Sequence, residues 1–289
     1  MPSRSAAGLA VLLLAACSSQ APPEPQADPL EPLKQSLTFY APFDEGLDAA
    51  YAQGDRRIYS APSYKELDQR SPGHWGEDVT IAYDKGRYGH ALQFHVKNTK
   101  ALFFTAEKNV PFSESGWTGT VSFWLSLDPA VDLEPGFCDP IQVTDKAYND
   151  GAIWTDFTKD NPRQFRLGVF GDLEAWNPEN KPNEEAGFDE RLVVVNQPPF
   201  ASGKWTHVVI VYDGLGTPSG KATLYLDAKP QGTSEGISEA FTWDMATAAI
   251  RLGVNYVGLW DELSVFSRPL TAEEVTALHN LEHGVQDLR

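Results

Sequence analysis

The chain has 289 residues, and its 23 Lys and Arg residues against 40 Asp and Glu residues give a net charge of −17 at pH 7. A hydrophobic fraction of 42% and a charged fraction of 22% are typical of a globular protein and exclude a disordered or collagen-like chain. The acidity counts against nucleic-acid binding, which needs basic side chains that displace counterions from phosphates.

The N-terminus predicts a lipoprotein signal peptide over residues 1–16. Its apolar run is too short to cross a bilayer, which needs about 20 residues, but it suits the apolar part of a signal peptide. The run ends in LAAC at 14–17, which resembles a bacterial lipobox and implies lipidation of Cys17 after cleavage. We therefore expect a lipid-anchored protein of the bacterial cell envelope, and Ser18 favours the outer membrane. Plain secretion, with Cys17 incidental, is the alternative.

Residues 17–36 predict a linker behind the lipidated cysteine. Five prolines lie between residues 18 and 36, and few apolar side chains accompany them. Such a segment cannot form a core and favours an extended polyproline II conformation. At about 3.1 Å per residue it would reach roughly 60 Å and hold the folded domain away from the lipid head groups.

From residue 37 onward, short runs with alternating apolar and polar residues are separated by clusters of Gly, Pro, Asn and Asp, a pattern typical of antiparallel strands. Val121, Phe123 and Leu125, for example, would share one face of a half-buried strand. The predicted strands span 37–43, 79–83, 91–96, 101–105, 119–127, 152–157, 164–170, 191–196, 205–212, 222–227, 248–253 and 258–266.

The sequence predicts one short C-terminal helix, over residues 271–281. Thr271 and Glu274 have the spacing of a capping box, in which each side chain binds the backbone N–H of the other residue. About a dozen strands and one helix predict a single all-β domain over residues 37–289, an antiparallel β-sandwich or jelly roll.

Several stretches of the predicted domain share a pattern with one known family. In chain order they are FYAPFDEG at 39–46, YGHALQF at 88–94, TVSFW at 120–124, KWTHVVIVYDG at 204–214, the strand at 222–227, and GLWDELSVFSRPLTAEEV at 258–275. Together they resemble the concanavalin A-like lectin/glucanase superfamily, specifically its laminin G-like type 3 domains. The resemblance implies a concanavalin A-like jelly roll, and residues 47–78 and 128–190, which are long for this family, imply inserted loops that are functional or mobile.

Hydrolases of this superfamily use two glutamates and an aspartate at alternating positions of one strand, because a retaining pair must lie about 5–5.5 Å apart. The sequence contains no Glu-x-Asp-x-Glu motif and no variant longer by one residue. Asp261 and Glu262 are adjacent and would point to opposite faces of a strand. We therefore expect no catalytic residues and no enzymatic activity, with a glycoside hydrolase as the less favoured alternative.

The same resemblance implies a structural Ca²⁺, which many members hold where the first and last strands meet. By position, Asp261 would supply the side-chain ligand, and backbone oxygens near Asp44 and Gly89 would complete the site. Carboxylate and carbonyl oxygens are the ligands that Ca²⁺ prefers. Alternatively, Asp261 only caps the edge of the strand.

Aromatic and polar residues of the long region 128–190 predict a saccharide site. Flat rings pack on the faces of sugars, and carboxylates fix their orientation by hydrogen bonding. The predicted ligand-binding residues are Tyr148, Trp154, Asp156 and Trp176.

The favoured function is therefore a surface-anchored, non-catalytic module that binds a polysaccharide or glycoconjugate. The alternative is a structural or protein-interaction domain of the cell envelope. That alternative predicts that Trp154 and Trp176 pack inward and leave no groove.

Overall fold

A computed structural model describes residues 28, 30–74, 76–98 and 100–289. The predicted signal peptide, Cys17 and most of the predicted linker lie outside the described residues. The helices and strands of the described part are α1 (Glu31–Ser36), β1 (Leu37–Ala41), β2 (Tyr51–Ala52), β3 (Ile58–Ala61), β4 (Ser71–Pro72), β5 (Val79–Ala82), β6 (Ala91–Phe94), β7 (Ala101–Thr105), β8 (Trp117–Ser126), β9 (Cys138–Thr144), β10 (Ala152–Phe157), β11 (Phe165–Phe170), α2 (Leu173–Trp176), β12 (Val193–Val195), β13 (Thr206–Leu215), β14 (Lys221–Leu226), β15 (Lys229–Glu235), β16 (Ala249–Val254), β17 (Gly258–Phe266) and α3 (Ala272–His279). Short 3₁₀ turns span Leu67–Gln69, Asn183–Glu185, Asp189–Arg191 and Gly284–Leu288.

Two antiparallel sheets form a sandwich. The first sheet has the order β15-β14-β13-β8-β17-β1-β2, with β6 also paired to β17 and β5 paired to β6. The second sheet has the order β12-β11-β10-β9-β16-β7-β3-β4. Val121, Phe123 and Leu125 of β8 enter the common core, as their alternation predicts. Phe39 of the first sheet meets Phe104 of the second, with ring centroids 4.8 Å apart. The all-β jelly-roll prediction is confirmed.

The C-terminal helix α3 covers the outer face of the first sheet. Thr271 and Glu274 form the predicted capping box, so the helix begins where the sequence indicates. Val275 and Leu278 pack in one apolar cluster with Val209 of β13. Apolar contacts therefore cover the part of the outer face that lies beneath α3.

Two further helices were not predicted. Helix α1 lies in the segment expected to be an extended linker, and Leu33 of this helix is fully buried in the cluster beneath α3. Pro32 stands at the start of this helix, where its missing N–H costs no hydrogen bond. The folded domain therefore includes residues 31–36. Helix α2 follows β11, inside the long region 128–190.

The long predicted loops contain strands of their own. Strands β2, β3 and β4 lie within 47–78, and β9 lies at the centre of the second sheet, between β10 and β16. Strand β9 was not predicted, because it contains Pro140. Proline cannot donate to a β-ladder and is found at bulges and edges. Here the β9–β10 register shifts next to Pro140, so β9 passes through a bulge.

No helix of the described residues is long and apolar enough to cross a bilayer.

Candidate ligand-binding site

A cavity of about 440 Å³ opens on the outer face of the second sheet. Small-molecule sites usually measure 300–1,000 Å³, so the cavity is large enough for a ligand. Three of the four predicted ligand-binding residues contribute to its lining, namely Tyr148, Trp154 and Asp156. We call this cavity the aromatic pocket; its lining residues are Phe137, Asp139, Tyr148, Trp154, Asp156, Arg166, Asn183, Glu184, Phe188 and Asp189.

The floor of the aromatic pocket comes from the hairpin of β10 and β11. Trp154 and Asp156 are two residues apart and therefore share the outer face of β10. Gly168 lies directly opposite Trp154, and a Cβ at this glycine would collide with the indole ring. Arg166 lies directly opposite Asp156. Strand alternation and register together bring these side chains to one place.

Asp156 and Arg166 form a two-pronged ion pair on this floor. Arg166 donates from Nε to Oδ1 at 2.8 Å and from Nη2 to Oδ2 at 2.5 Å. Both side chains are nearly buried, with exposed fractions of 5% and 11%. Bidentate pairing of this kind fixes geometry as well as charge.

The rim of the pocket presents exposed aromatic rings. Phe137 and Tyr148 are 47% and 42% exposed. The Arg166 guanidinium lies 5.0 Å from the ring centroid of Phe137, a cation–π distance. Asn183 donates to the Tyr148 hydroxyl at 3.0 Å, which holds that ring at the rim.

Trp154 and Trp176 are both packed inward. Trp154 is 2% exposed and its indole N–H donates to the carbonyl of Tyr148, while Trp176 is 7% exposed and donates to the carbonyl of Asn149. The two indoles join one aromatic cluster with Phe188. Trp154 still forms part of the pocket floor, but Trp176 lies outside the lining. The predicted ligand contact of Trp176 is therefore not supported by its position, because its ring and its N–H are already occupied.

Asp139 is a pocket residue that the sequence analysis did not single out. It stands beside Pro140 at the bulge of β9, and its Oδ2 accepts a hydrogen bond from Gln142 at 2.5 Å. Burial, reinforced by the negative charge of Asp156, raises the pKa of the Asp139 carboxyl to about 8. At neutral pH this carboxyl is mostly protonated and can donate a hydrogen bond.

Arg163 holds the loop that presents Phe137. Its buried guanidinium donates to the carbonyls of Leu133, Glu134 and Gly136 at 3.3, 2.6 and 2.9 Å. It also donates to the carbonyl of Thr158. One side chain thus ties the 133–137 loop to the β10–β11 hairpin. Nothing in the local sequence pattern marks this role, because these four carbonyl acceptors are backbone atoms.

The structure brings together the three residues assigned to calcium. A Cβ at Gly89 would collide with the Asp44 carboxylate, and φ of Gly89 is +58°, so glycine is required there. Asp44 Oδ1 accepts the backbone N–H of His90 at 2.7 Å. Asp261 is fully buried beside the same loop.

The oxygens of Asp261 are engaged as hydrogen-bond acceptors. Oδ2 accepts the N–H groups of Arg87 and Tyr88 at 2.7 and 3.3 Å, and Oδ1 accepts that of Glu262 at 2.8 Å. N–H donors occupy the positions where a cation would bind, so this arrangement does not fit calcium as it stands. Within 28, 30–74, 76–98 and 100–289, no three His, Cys, Asp or Glu side chains are grouped to hold a metal ion. Calcium stays a prediction from the resemblance alone.

Comparisons with known proteins agree with this architecture. The family model of the concanavalin A-like lectin/glucanases superfamily matches residues 104–276, which is more than half of the chain. A search of curated proteins finds no match.

Similar solved structures include domain 4 of AbnA, a GH43 extracellular arabinanase from Geobacillus stearothermophilus, in complex with arabinotriose. The TM-score is 0.50 at 18% identity, over 85% of this chain and 98% of that one. The ligand binding domain of botulinum neurotoxin serotype D, in complex with N-acetylneuraminic acid, has a TM-score of 0.55 at 11% identity. The match covers 85% of this chain and 51% of that one. A second structure of the serotype D binding domain has a TM-score of 0.56 at 12% identity, and the match covers 85% of this chain and 52% of that one.

This chain therefore spans about half the length of the toxin domains. At such low identity these likenesses show the fold alone. The family match and the two-sheet sandwich establish the relationship: the chain belongs to the concanavalin A-like lectin/glucanases superfamily, with a laminin G-like domain.

Proposed function

We propose that this protein is a non-catalytic module that binds a carbohydrate in the aromatic pocket. The observation that carries the proposal is the pairing of exposed rings at the rim, Phe137 and Tyr148, with fixed polar groups on the floor. Carbohydrate sites need both, because the rings pack on the C–H faces of a sugar and the polar groups bind its hydroxyls.

The distribution of exposed rings supports this location. Among the described residues, the large hydrophobic side chains that remain exposed include three aromatic ones: Tyr83, Phe137 and Tyr148. Two of the three line the same cavity. Exposed aromatic residues that converge on one cavity are better explained by a ligand than by chance, because isolated exposed hydrophobic residues are normal at any surface.

The ligands of similar folds support the same class. The arabinanase domain was solved with arabinotriose and the toxin domain with N-acetylneuraminic acid. A carbohydrate ligand for this chain is consistent with those complexes.

The chemistry of the floor favours binding over hydrolysis. Asp139 and Asp156 form a pair of neighbouring carboxyl groups that the sequence analysis did not anticipate. A glycosidase needs one carboxylate free to attack or to activate water. Both oxygens of Asp156 are bound by Arg166, and Asp139 is mostly protonated at neutral pH, so neither supplies a free carboxylate.

A protein-interaction role in the cell envelope is the second candidate. The inward packing of Trp154 and Trp176 favours it, because these rings stabilise the loop region instead of facing a ligand.

For either role, we propose attachment to the bacterial cell envelope through lipidated Cys17, with the outer membrane as the site. This location rests on the sequence at 14–17 and on Ser18.

A glycan array tests the proposed function. The protein would be expressed from Ser18 onward, which removes the lipid anchor and retains every described residue. We expect binding to a set of structurally related glycans. A blank array with folded protein would contradict the carbohydrate proposal and leave the protein-interaction candidate.

A further inference from the structure

The aromatic pocket is strongly unbalanced in charge. Its lining contains the carboxyl groups of Asp139, Asp156, Glu184 and Asp189 and a single cationic group, the guanidinium of Arg166. The chain as a whole carries a net charge of −17, so its overall charge does not offset this local excess.

The single cation is already neutralised. Arg166 donates two hydrogen bonds to Asp156, and its Nη1 lies 3.9 Å from Asp189 Oδ1. Its flat face lies against the rings of Phe137 and Trp154 at 5.0 and 5.9 Å. Recognition of a carboxylate by arginine usually needs two free parallel N–H donors. The parallel pair formed by its Nε–H and Nη2–H groups is already taken by Asp156.

The remaining carboxyl groups have no close cationic partner, since Asp189 has only the 3.9 Å contact with Arg166. Asp139 is held by the neutral amide of Gln142. Asp189 has a side chain that is 72% exposed at the rim, so its negative charge faces an approaching ligand. An acidic ligand would lose its hydration here and face negative charge without gaining a cation that is not already paired with a carboxylate.

We propose that the aromatic pocket selects uncharged saccharides and rejects those that carry a carboxylate or sulfate group. This inference rests on the proposed carbohydrate-binding function and names the ligand class of the same site. Asp189 acts as the specificity-determining residue, because its exposed carboxylate repels a ligand that carries a negative charge.

The glycan array should contain matched pairs of neutral and acidic glycans, such as lactose and 3′-sialyllactose. It then tests carbohydrate binding and the preference for uncharged saccharides separately. We expect the binders to be neutral glycans, with acidic counterparts at least roughly tenfold weaker. Binding to acidic glycans would overturn the inference and leave the carbohydrate function intact. A blank array for folded protein would overturn both.

A charge reversal at the rim tests whether the negative charge of Asp189 excludes acidic glycans. Asp189→Lys places a free cation beside the pocket at an exposed position, where substitution does not threaten the fold. We expect the ratio of acidic to neutral glycan affinity to rise by about tenfold. Glu179→Lys, the same change in charge on the same loop but outside the lining, is the matched control and should leave the ratio unchanged. An unchanged ratio in Asp189→Lys would overturn the inference.

Discussion

Asp156 and Arg166 face each other across the β10–β11 hairpin, and the carboxylate receives two parallel N–H bonds from the guanidinium. This pair gives the aromatic pocket a rigid polar floor. It also uses up the single cation of the lining, and it occupies a carboxylate that hydrolysis would require. The proposed binding without catalysis and the proposed preference for neutral ligands both depend on this contact.

Removal of one partner of this pair should destabilise the protein. Asp156→Ala leaves the Arg166 guanidinium nearly buried and unpaired, and breaking a buried pair in this way typically costs about 3–5 kcal/mol. The free energy of unfolding from urea titration measures the loss. The double variant Asp156→Ala, Arg166→Met should recover much of it, because no unpaired charge remains. Asp160→Ala removes an exposed partner of Lys159 and should change stability little. Equal losses in the single and double variants would contradict this interpretation.

Arg163 should control the order of the loop that carries Phe137. Arg163→Met retains the bulk of the side chain and removes the hydrogen bonds from Arg163 to the carbonyls of Leu133, Glu134 and Gly136. We expect faster amide hydrogen exchange in residues 133–137, together with weaker glycan binding. Lys159→Met, an exposed change nearby, serves as the control. Unchanged exchange in this loop would show that other contacts hold it.

Stability should fall as the pH rises from about 4 to about 8. Burial raises the pKa of Glu262 to about 7 and that of Asp139 to about 8, so both carboxyls bind protons more tightly when folded. Their stabilising contribution is therefore complete below the pKa values of the unfolded chain and is lost as the pH passes through the folded values.

Substitution of Glu262 isolates its contribution to this fall in stability with rising pH. Glu262→Gln should flatten the decline of Tm between pH 5 and pH 8. The ion pair with Arg268 lowers the pKa of Glu274, so Glu274→Gln should instead lower stability by a constant amount between pH 5 and pH 8 and leave the slope there unchanged. A decline of the same slope in Glu262→Gln would contradict the assignment to Glu262.

The Asp261 carboxylate should act as an anchor for the 86–90 loop without calcium. We expect the same Tm in excess CaCl₂ and in EDTA, because N–H groups already occupy the oxygens of this side chain. Asp261→Asn should lower the free energy of unfolding by about 1–3 kcal/mol, since one oxygen is replaced by an N–H₂ group facing buried donors. A Tm that rises by several degrees with calcium, and only when Asp261 is present, would restore the metal site.

Short-range patterns predicted those parts of the site that lie close together in the sequence. Trp154 and Asp156 share a face because alternation along a strand is a local property, and Tyr148 is only six residues away. Twelve of the strands and helix α3 were predictable for the same reason, but β2, β3, β4, β9 and β15 were not. Pro140 concealed β9, because a proline normally argues against a central strand and the bulge that accommodates it is not visible in the sequence.

The remaining pocket residues depend on long-range packing. Arg166 pairs with Asp156 through hairpin register, which no local pattern specifies, and Phe188 reaches the pocket only because the 177–190 segment folds back over β11. Phe137 is presented by a loop that Arg163 holds through backbone carbonyls. The inward rotation of Trp176 follows from a bond to the Asn149 carbonyl, a contact across 27 residues.

The most direct test of the account is glycan binding by the rim variants. The strongest array ligand would be titrated by calorimetry into the wild-type protein and into Phe137→Ala, Tyr148→Ala and Tyr83→Ala. Tyr83 is exposed like the other two rings but lies outside the pocket lining, which makes it the matched control. We expect the Phe137 and Tyr148 variants each to weaken binding by about 2- to 10-fold, since aromatic stacking contributes about 0.5–1.5 kcal/mol beyond buried area. We expect Tyr83→Ala to bind like the wild type. Full affinity in both rim variants would show that the carbohydrate binds elsewhere and would contradict the account.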